Sequence, residues 1–326
     1  MSNRLVRIGS RGSELALWQA RWVQRALMRY HPRLEAIIEI IKTKGDKILD
    51  SPLSQIGDKG LFTKEIESAL LAGEIDLAVH SLKDLPTGLP EGLTIGAICE
   101  REDVRDVFIH HPRNPEKALK DQMQGARIAT GSLRRKCQLL HFRPDFEIID
   151  IRGNLNTRMR KLEESDWSGM ILARAGVVRL GWEERIGETI SVDVVLPAVG
   201  QGALGVEVRV EDKRVRGFLR ELDHMPTRQA ATAERALLRR LEGGCQVPIG
   251  TFARIEPDGN GGEQLFLKAI VGSLDGRRVV RGKVHGSPGE AETLGRRLAE
   301  TLLLGGADRI LREIRTPHEG THELAQ

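Results

Sequence analysis

Hydrophobic positions along the first two thirds of the chain follow two alternating periods. Short apolar runs, typical of buried strands, alternate with longer segments in which apolar residues recur every three to four positions, as on one face of a helix. The first unit is a predicted strand over 5–8, a turn, and a helix that begins after Ser13 and runs to Tyr30. Further elements are predicted over 37–41 (strand), 62–72 (helix) and 75–79 (strand). This alternation predicts βαβ units and a largely parallel sheet.

The middle of the chain repeats the same pattern. Its predicted elements lie over 126–129, 147–151 and 170–173 (strands) and over 133–142 (helix). Glycine and proline punctuate the segment 196–202, which is therefore predicted to cross between units. A strand over 203–208 follows it and is expected to return to the first sheet. The pattern thus predicts two α/β units that exchange one strand.

The last third departs from this pattern. A helix is predicted over 227–241, followed by strands over 249–255, 264–272 and 277–284 and by a closing helix over 288–304. Asp-Gly pairs at 258–259 and 275–276 are typical of hairpin turns. We therefore expect a separate α+β unit with a small antiparallel sheet.

Composition places the chain among ordinary soluble globular proteins, with 40% hydrophobic and 29% charged residues. No apolar run approaches the roughly 20 residues of a membrane span. The first residues lack the apolar core of a secretory signal, so we expect a cytoplasmic protein. Three widely spaced cysteines without a CxxC pattern, and histidines without an HExxH pattern, predict neither a disulfide framework nor a metal site.

Positive charge is concentrated rather than spread. Between 4 and 33 there are seven arginines and one acid, and between 131 and 161 there are eight Lys or Arg against three acids. Aromatic residues make up only 4% of the chain, and no nucleic-acid-reading module is visible, so nucleic acid is not the expected partner. A polyanionic small molecule fits these patches better.

Several arginines lie at turns from strand to helix. Arg134 and Arg135 fall in the first turn of a predicted helix, where the macrodipole disfavours cations by up to about 1 kcal/mol. Arginines there make sense only if an anion binds across them, using the guanidinium groups and the free backbone N–H groups together. Arg11, Arg152 and Arg158 occupy comparable places, although a solvated position on the helix face is the alternative for Arg158. Together they predict a cleft that holds several carboxylates.

Asp84 is the conspicuous acid among these cations. It follows a predicted buried strand and lies next to Lys83. A carboxylate amid cations stays ionised, so Asp84 is suited to stabilise a developing cation or to orient N–H donors, and poorly suited as a general acid. Ordinary turn chemistry before Leu85-Pro86 is the alternative interpretation.

Cys245 lies in an unusual segment, between two glycines and the Val247-Pro248 pair. The glycines remove side-chain cover from the thiol, and the proline favours a fixed loop after it. This context predicts a thiol that meets a bulky partner. A helix C-cap followed by a small hydrophobic residue remains the alternative.

These residues belong to longer motifs that resemble the porphobilinogen deaminase (hydroxymethylbilane synthase) family over nearly the whole chain. The matching segments are RGSELA at 11–16, KGLFTKE at 59–65, AVHSLKDLP at 78–86, GSLRR at 131–135, RGN at 152–154, LPAVGQG at 196–202 and EGGCQVPIG at 242–250. The cysteine segment together with the Ser-Leu-Arg-Arg sequence is the most specific combination. Gly131 departs from a serine that is frequent in the family, and Gln55 stands where a basic residue is frequent.

The resemblance implies a fold and a domain division. It implies two doubly wound, periplasmic-binding-protein-like α/β domains that flank a cleft, and a C-terminal α+β domain with a small antiparallel sheet. We expect the first domain at 1–101 with 203–220, the second at 102–202, and the third, which carries Cys245, at 221–326.

The resemblance also implies the activity. The family is a transferase that joins four porphobilinogen molecules head to tail, releases ammonia at each step, and frees hydroxymethylbilane for tetrapyrrole synthesis. It primes the chain with a dipyrromethane cofactor, held here by a thioether to Cys245. Each pyrrole ring bears an acetate and a propionate, which accounts for the many arginines. A monomer in the cytoplasm, without a metal, a membrane or nucleic acid, is expected, with a transient hand-over of product to uroporphyrinogen-III synthase.

Residue assignments follow from the matched motifs. Asp84 is the expected catalytic residue, and Lys59 belongs to a loop that covers the site. Cofactor binding is assigned to Cys245, Lys83, Asp84, Thr130, Ser132, Arg134, Arg135 and Arg158. Substrate binding is assigned to Arg11, Ser13, Phe62, Arg152, Arg158 and Gln201.

Two other classes of protein share parts of this sequence pattern. A two-lobed anion-binding or effector-sensing protein would have similar arginine turns, but no need for an exposed thiol. A cysteine hydrolase would use Cys245 as its nucleophile, with His80 as the base if folding brought the two together. The intact mass of the purified protein distinguishes these classes, because only a protein of the porphobilinogen deaminase type would be heavier by two pyrrole units.

Overall fold

The computed structural model describes residues 5–47, 60–113, 118–241 and 247–315. Its strands are β1 Leu5–Ser10, β2 Glu35–Ile40, β3 Leu77–Ser81, β4 Leu93–Ile98, β5 Asp106–His110, β6 Arg127–Ala129, β7 Glu147–Ile149, β8 Gly169–Ala173, β9 Glu188–Thr189, β10 Leu204–Arg209, β11 Ile249–Pro257, β12 Glu263–Gly272 and β13 Val279–Gly286. Its helices are α1 Glu14–Tyr30, α2 Lys44–Lys47, α3 Lys64–Leu71, α4 Leu133–Phe142, α5 Leu155–Glu163, α6 Arg174–Arg179, α7 Lys213–Phe218, α8 Met225–Arg240, α9 Ala291–Leu302 and α10 Asp308–Arg315.

The first sheet has the strand order β2-β1-β3-β10-β4. Strand β1 pairs in parallel with β2 and β3, whereas β10 runs antiparallel to both of its neighbours. The predicted return of a late strand to the first sheet is confirmed. Apolar residues of β1, β3 and β10 pack against α1 and α7 on one face of the sheet. We call this sheet, with α1, α3 and α7, the first lobe.

The second sheet repeats this arrangement with the order β7-β6-β8-β5-β9. Strand β6 pairs in parallel with β7 and β8, and β5 runs antiparallel to β8 and β9. Two apolar clusters, one on each face of the sheet, cover it and include residues of α4, α5 and α6. We call this sheet, with α4, α5 and α6, the second lobe.

The C-terminal unit is the predicted small antiparallel sheet, with the order β11-β12-β13. Helices α8 and α9 pack on it and close one apolar core. Gly259 and Gly276 adopt positive φ angles of 81° and 70° in the two hairpin turns, as their Asp-Gly context predicts. The fold class predicted from the sequence, two α/β units and a small α+β unit, is thereby confirmed.

A buried ion pair ties the C-terminal unit to the crossing between the lobes. Arg101 donates from Nη1 and Nη2 to Glu234 of α8 at 2.8 and 3.1 Å, and from Nε to the carbonyl of Gln201 at 2.7 Å. The Glu234 carboxylate also accepts from the backbone N–H groups of Gly200 and Ala253. Four donors satisfy this fully buried charge, so it can hold the units together without being left unpaired.

The carboxyl ends of the parallel strands bring the sequence motifs together. Arg11 follows β1, Lys83 follows β3, Thr130 follows β6, and Arg152 follows β7. In open α/β sheets this edge is where ligands bind. The fold therefore places the arginine turns of both lobes at comparable edges.

Candidate active site

An open pocket lies at the carboxyl ends of β1 and β3. Four residues predicted from the sequence to act on substrate line it together: Arg11, Ser13, Phe62 and Asp84. Gln19, Thr63, His80 and Ser81 are among the other residues of its wall. The first lobe thus provides an open pocket with cationic, aromatic and anionic groups side by side.

The cationic side of this pocket is held in place by an aromatic ring. The guanidinium carbon of Arg11 lies 4.2 Å from the centroid of the Phe62 ring, a cation–π distance. Ser13 caps α1, because its hydroxyl accepts from the backbone N–H of Ala16 at 3.3 Å. Capping fixes the first turn of α1, and Arg11 lies just before that turn. The sequence-predicted N-cap is confirmed.

Lys83 and Asp84 lie on a 3-10 turn, Leu82–Asp84, directly after β3. The Asp84 side chain is exposed to the pocket, whereas Lys83 is half-buried. Surrounding protein atoms desolvate the Lys83 ammonium and lower its pKa to about 8, against the opposing attraction of Asp84. Arg134 and Arg135 also act on Lys83, so this turn faces the charged wall of the second lobe.

That wall is built around Asp106, the first residue of β5, which is fully buried. Nη1 of Arg134 donates to its Oδ2 at 2.7 Å, and Nη2 of Arg135 donates to its Oδ1 at 2.8 Å. Burial opposes ionisation of Asp106, but the two guanidinium groups outweigh it and hold the pKa of this carboxyl well below its usual range. Two positive charges against one negative charge leave the group with a net charge of +1.

This arrangement corrects one step of the sequence argument. The inference that only a bound anion could justify Arg134 and Arg135 at a helix start is wrong, because Asp106 supplies an anion from within the chain. Nη1 of Arg134 also donates to the backbone carbonyl of Leu196 at 2.6 Å, and Nη1 of Arg135 donates to that of Ile171 at 3.0 Å. The Nε of Arg135 is buried and has no hydrogen-bond partner in the described part of the chain.

Gln201 is buried next to Asp106. Its side chain is 1% exposed, and its Nε2 donates to Asp106 and to the carbonyl of Val104, both at 2.8 Å. The amide thus fixes the carboxylate that pairs with Arg134 and Arg135, while Gln201 Oε1 is buried without a hydrogen-bond partner in the described residues. The contact of Gln201 with substrate stays a prediction.

Arg152 and Arg158 extend the cationic wall. Burial, and the positive charges of Arg135 and Arg152, lower the pKa of Arg158 to about 10. The negative charges of Asp150 and Asp84 act in the opposite direction. One terminal nitrogen of Arg152, Nη1, is buried without a hydrogen-bond partner in the described residues. The solvated position considered for Arg158 is thus not what the structure shows.

Thr130 and Ser132 shape the turn before α4. The Thr130 hydroxyl accepts from the backbone N–H of Ser132 at 3.3 Å. The Ser132 hydroxyl caps α4, because it accepts from the backbone N–H of Arg135 at 3.5 Å. A Cβ at Gly131 would lie 2.6 Å from the carbonyl oxygen of Ile151. Gly131, which stands where the family often has serine, therefore fits a turn that is packed tightly against the chain segment at Ile151.

Three sequence predictions fall outside the described residues: Cys245, Lys59 and Gln55. The other two cysteines, Cys99 and Cys137, are buried, and burial raises the pKa of each thiol to about 12. Both are therefore poor nucleophiles, because the thiolate is the reactive form.

Asp106 and Glu207 are two of the buried acids that sequence reasoning missed. Each lies in an apolar strand run, before Val-Phe-Ile in one case and within Leu-Gly-Val-Glu-Val in the other. A charged residue in a run that must be buried signals a buried cation nearby. Within the described ranges there is no cluster of His, Cys, Asp or Glu that could hold a metal ion, and no helix there could span a bilayer.

Comparison with known proteins identifies the family. Residues 6–217 match the model of the porphobilinogen deaminase dipyromethane cofactor binding domain, and residues 228–304 match the model of the porphobilinogen deaminase C-terminal domain. The chain is 55% identical over 314 residues to porphobilinogen deaminase of Desulfitobacterium hafniense, which covers 96% of this chain and 99% of the relative. It is 54% identical over 310 residues to the enzyme of Carboxydothermus hydrogenoformans, covering 94% and 96%.

Among solved structures, the chain is similar to the periplasmic aliphatic sulphonate binding protein SsuA from Escherichia coli, with a TM-score of 0.40, 13% identity and coverage of 100% and 96%. The family prediction made from the motifs is confirmed by the two family models and by these curated relatives. The chain belongs to the porphobilinogen deaminase family, as a transferase that polymerises porphobilinogen to hydroxymethylbilane in tetrapyrrole synthesis and uses a dipyrromethane cofactor.

Proposed function

We propose that the open pocket of the first lobe is where porphobilinogen reacts, with Asp84 as the catalytic carboxylate, and that the charged wall of the second lobe holds the cofactor. One observation supports this division above all: the exposed Asp84 lies in the same pocket as Arg11 and Phe62, while its turn faces desolvated cations of the other lobe. A reactive group and an anion-holding wall thus meet at one cleft.

The charged wall fits a polycarboxylate such as dipyrromethane, whose two rings bear two carboxylates each. Arg135 and Arg152 each keep a buried N–H group without a partner, which a carboxylate oxygen would satisfy. The pair on Asp106 retains a net charge of +1, and Lys83 and Arg158 are desolvated. An anion relieves the cost of burying such cations.

The residues proposed to hold the cofactor are Lys83, Asp84, Thr130, Ser132, Arg134, Arg135 and Arg158, with a thioether to Cys245. When bound, the dipyrromethane supplies the free pyrrole carbon to which the first substrate is joined. Burial and raised thiol pKa values at Cys99 and Cys137 favour Cys245 as the attachment point. Guanidinium groups suit this task, because their planar fork binds a carboxylate through two hydrogen bonds.

Asp84 is proposed to stabilise positive charge on the pyrrole nitrogen of the reacting substrate. Asp84 follows Lys83 on a turn closed by the hydrogen bond from Leu85 N to Leu82 O. A carboxylate held in this way needs no reorganisation when charge develops, which is the basis of electrostatic catalysis.

The remaining substrate contacts are proposed at the pocket and its rim. Arg11 and Arg152 would bind the acetate and propionate groups, the Ser13 hydroxyl would donate a further hydrogen bond, and Phe62 would pack against the ring. Arg158 is proposed to serve both cofactor and substrate, because its charge interacts both with Asp84 in the pocket and with Arg135 in the charged wall. Lys59 is proposed to belong to a covering loop.

Organisation above the site is also part of the proposal. The domain division at 1–101 with 203–220, 102–202 and 221–326 is supported by separate apolar cores in the two lobes and the C-terminal unit. From the family resemblance we propose a cytoplasmic monomer that passes its product to uroporphyrinogen-III synthase.

Intact mass and peptide mapping test the attachment, and Asp84 variants test the reaction. The purified protein should be heavier by two pyrrole units, with the added mass on the peptide that contains Cys245. Asp84→Asn should retain this mass but lose about 10²–10³-fold in kcat, since one preorganised electrostatic group is removed. Asp84→Glu should keep slow turnover and accumulate intermediates. Added mass on Cys137, or near-normal turnover in Asp84→Asn, would contradict the assignments.

A further inference from the structure

Beneath the turn that carries Lys83 and Asp84 lies a second buried carboxylate, Glu207. It belongs to β10, between β3 and β4, and its side chain is fully buried. Neither of its oxygens accepts a hydrogen bond from the described part of the chain. Since burial of a polar group without a hydrogen-bond partner is costly, the polar groups around Glu207 bear on the local structure.

One polar neighbour of Glu207 precedes the turn. Nε2 of His80, on β3, lies 3.3 Å from Oε2 of Glu207, with side-chain exposures of 4% and 0%. His80 also lines the reaction pocket and is separated from the turn only by Ser81. Glu207 therefore has a direct contact at the start of the catalytic segment.

The other neighbour follows the turn. Arg235 of α8 donates from Nη1 to the carbonyl of Leu85 at 3.2 Å and from Nη2 to the carbonyl of Pro86 at 2.7 Å. Burial lowers the pKa of Arg235 to about 10, and the charge of Arg239 acts in the same direction, whereas the negative charge of Glu207 opposes this. Arg235 thus holds the carbonyls of the residues that follow Asp84, and Glu207 is among the charges that act on its guanidinium.

The turn also rests on β10 through its apolar side chains. The N–H of Leu82 donates to the carbonyl of Ala203 at 3.0 Å. A Cβ at Gly205 would lie 3.0 Å from both Leu82 and Leu85, so the strand approaches the turn closely. The other charged groups that face this cluster are Glu67 and Lys64 of α3. The position of the turn is thus set by the same strand that carries Glu207.

We infer that Glu207 is a positioning residue for the catalytic turn, because it holds His80 before the turn and attracts Arg235 after it. Both ends of the segment that carries Lys83 and Asp84 then depend on one buried carboxylate. This inference deepens the proposed function and rests on the assignment of Asp84. It also makes α8 of the C-terminal unit part of the support of the pocket.

Hydrogen exchange and kinetics of Glu207→Gln test the inference, because glutamine keeps the shape and removes the charge. Exchange of the Leu82 and Leu85 amides, followed in peptides that cover 80–87, should become at least about 10-fold faster. With porphobilinogen as substrate, kcat should fall at least about 10-fold, while KM stays within about 3-fold because Arg11 and Phe62 are untouched.

Glu67→Gln is the matched control, since it removes another buried carboxyl beside His80 that has no contact with Arg235. It should keep wild-type exchange over 80–87. If Glu207→Gln does not fold, Arg235→Lys is the variant to measure instead, because one ammonium cannot donate to the carbonyls of both Leu85 and Pro86. Arg235→Lys should show the same faster exchange and lower kcat. A folded Glu207→Gln or Arg235→Lys with wild-type exchange at 80–87 overturns the inference, whatever its activity. Failure of the Asp84 assignment would appear separately, as high activity in Asp84→Asn with wild-type exchange.

Discussion

The second lobe of the cleft pairs its cations with a carboxylate of its own, whereas the first lobe presents its charged groups to the pocket. Arg134 and Arg135 share Asp106, and Gln201 orients that carboxylate. In the first lobe, Asp84 is exposed and Arg11 rests on the Phe62 ring. The same strand order thus supports a preorganised wall on one side and a reactive pocket on the other.

The wall should be the more costly of the two to disturb. Asp106→Asn would leave two buried guanidinium groups with no anion, so we expect about 3–5 kcal/mol lower free energy of unfolding. Asp166→Asn is the control, because Asp166 forms an exposed ion pair with Arg127 and should cost at most about 1 kcal/mol. Urea denaturation of both variants measures the difference. Equal costs would mean that the wall is not preorganised by Asp106.

Arginine-to-lysine variants should separate the two sides by the step at which they fail. Arg134→Lys should block assembly of the cofactor, since a point charge cannot replace the fork that binds Asp106 and a ligand. Arg158→Lys should assemble the cofactor but stall the growing chain. Native mass spectrometry after brief exposure to porphobilinogen would resolve the species. The same ladder of masses in both variants would refute this division of labour between the arginines.

Lys83 lies between the two regions and should make the cleft pH-dependent. Its pKa in the folded protein is about 8, below the ordinary 10.5, so it loses its charge as pH rises through about 8. Binding of carboxylate groups should then weaken, and KM should rise. Between about pH 8 and 10.5 the unfolded chain binds more protons, so this residue makes the ligand-free protein more stable as pH rises. Lys83→Arg should remove the rise in KM. A rise of equal size in that variant would assign it to another group.

The smallest effect is expected within the pocket. Phe62→Leu keeps an apolar side chain but removes the ring beneath Arg11, a contact worth about 0.5–1 kcal/mol at a half-exposed site. We therefore expect KM to rise about 2–5-fold with little change in thermal stability. Steady-state kinetics at constant ionic strength measure it, and an unchanged KM would show that Arg11 needs no support from the ring.

Local patterns were sufficient to predict most of the architecture. The N-cap at Ser13, the bounds of α4, the hairpin glycines and the return of β10 all follow from capping, periodicity and turn chemistry. Strands β4 and β5 were not predicted, because Thr94 and Gly96 interrupt one and polar residues bound the other. Helix α10 was also missed.

The individual residues of the site could be predicted from the sequence, but the ion pairs and hydrogen bonds between them could not. The turn motifs located Arg11, Asp84 and Arg134, and the structure places each at a carboxyl strand end as expected. Asp106, however, is 28 residues from its partner Arg134, and a single sequence holds no signal for so distant an ion pair. The same reason explains why the contact of Gln201 with Asp106, from 95 residues away, was not predicted.

The insertion of β10 between β3 and β4 has a consequence for synthesis on the ribosome. Val206 pairs with Val79 and Ala97, so the first sheet joins segments separated by the entire second sheet. Until residues 204–209 have emerged, β3 and β4 each present an unpaired edge that can bind other extended chains. All strands described for the second sheet lie within 106–189, so this sheet can form first. During synthesis the second sheet can therefore form before the first sheet is complete. The unpaired amino-terminal strands are the natural place for a chaperone to act.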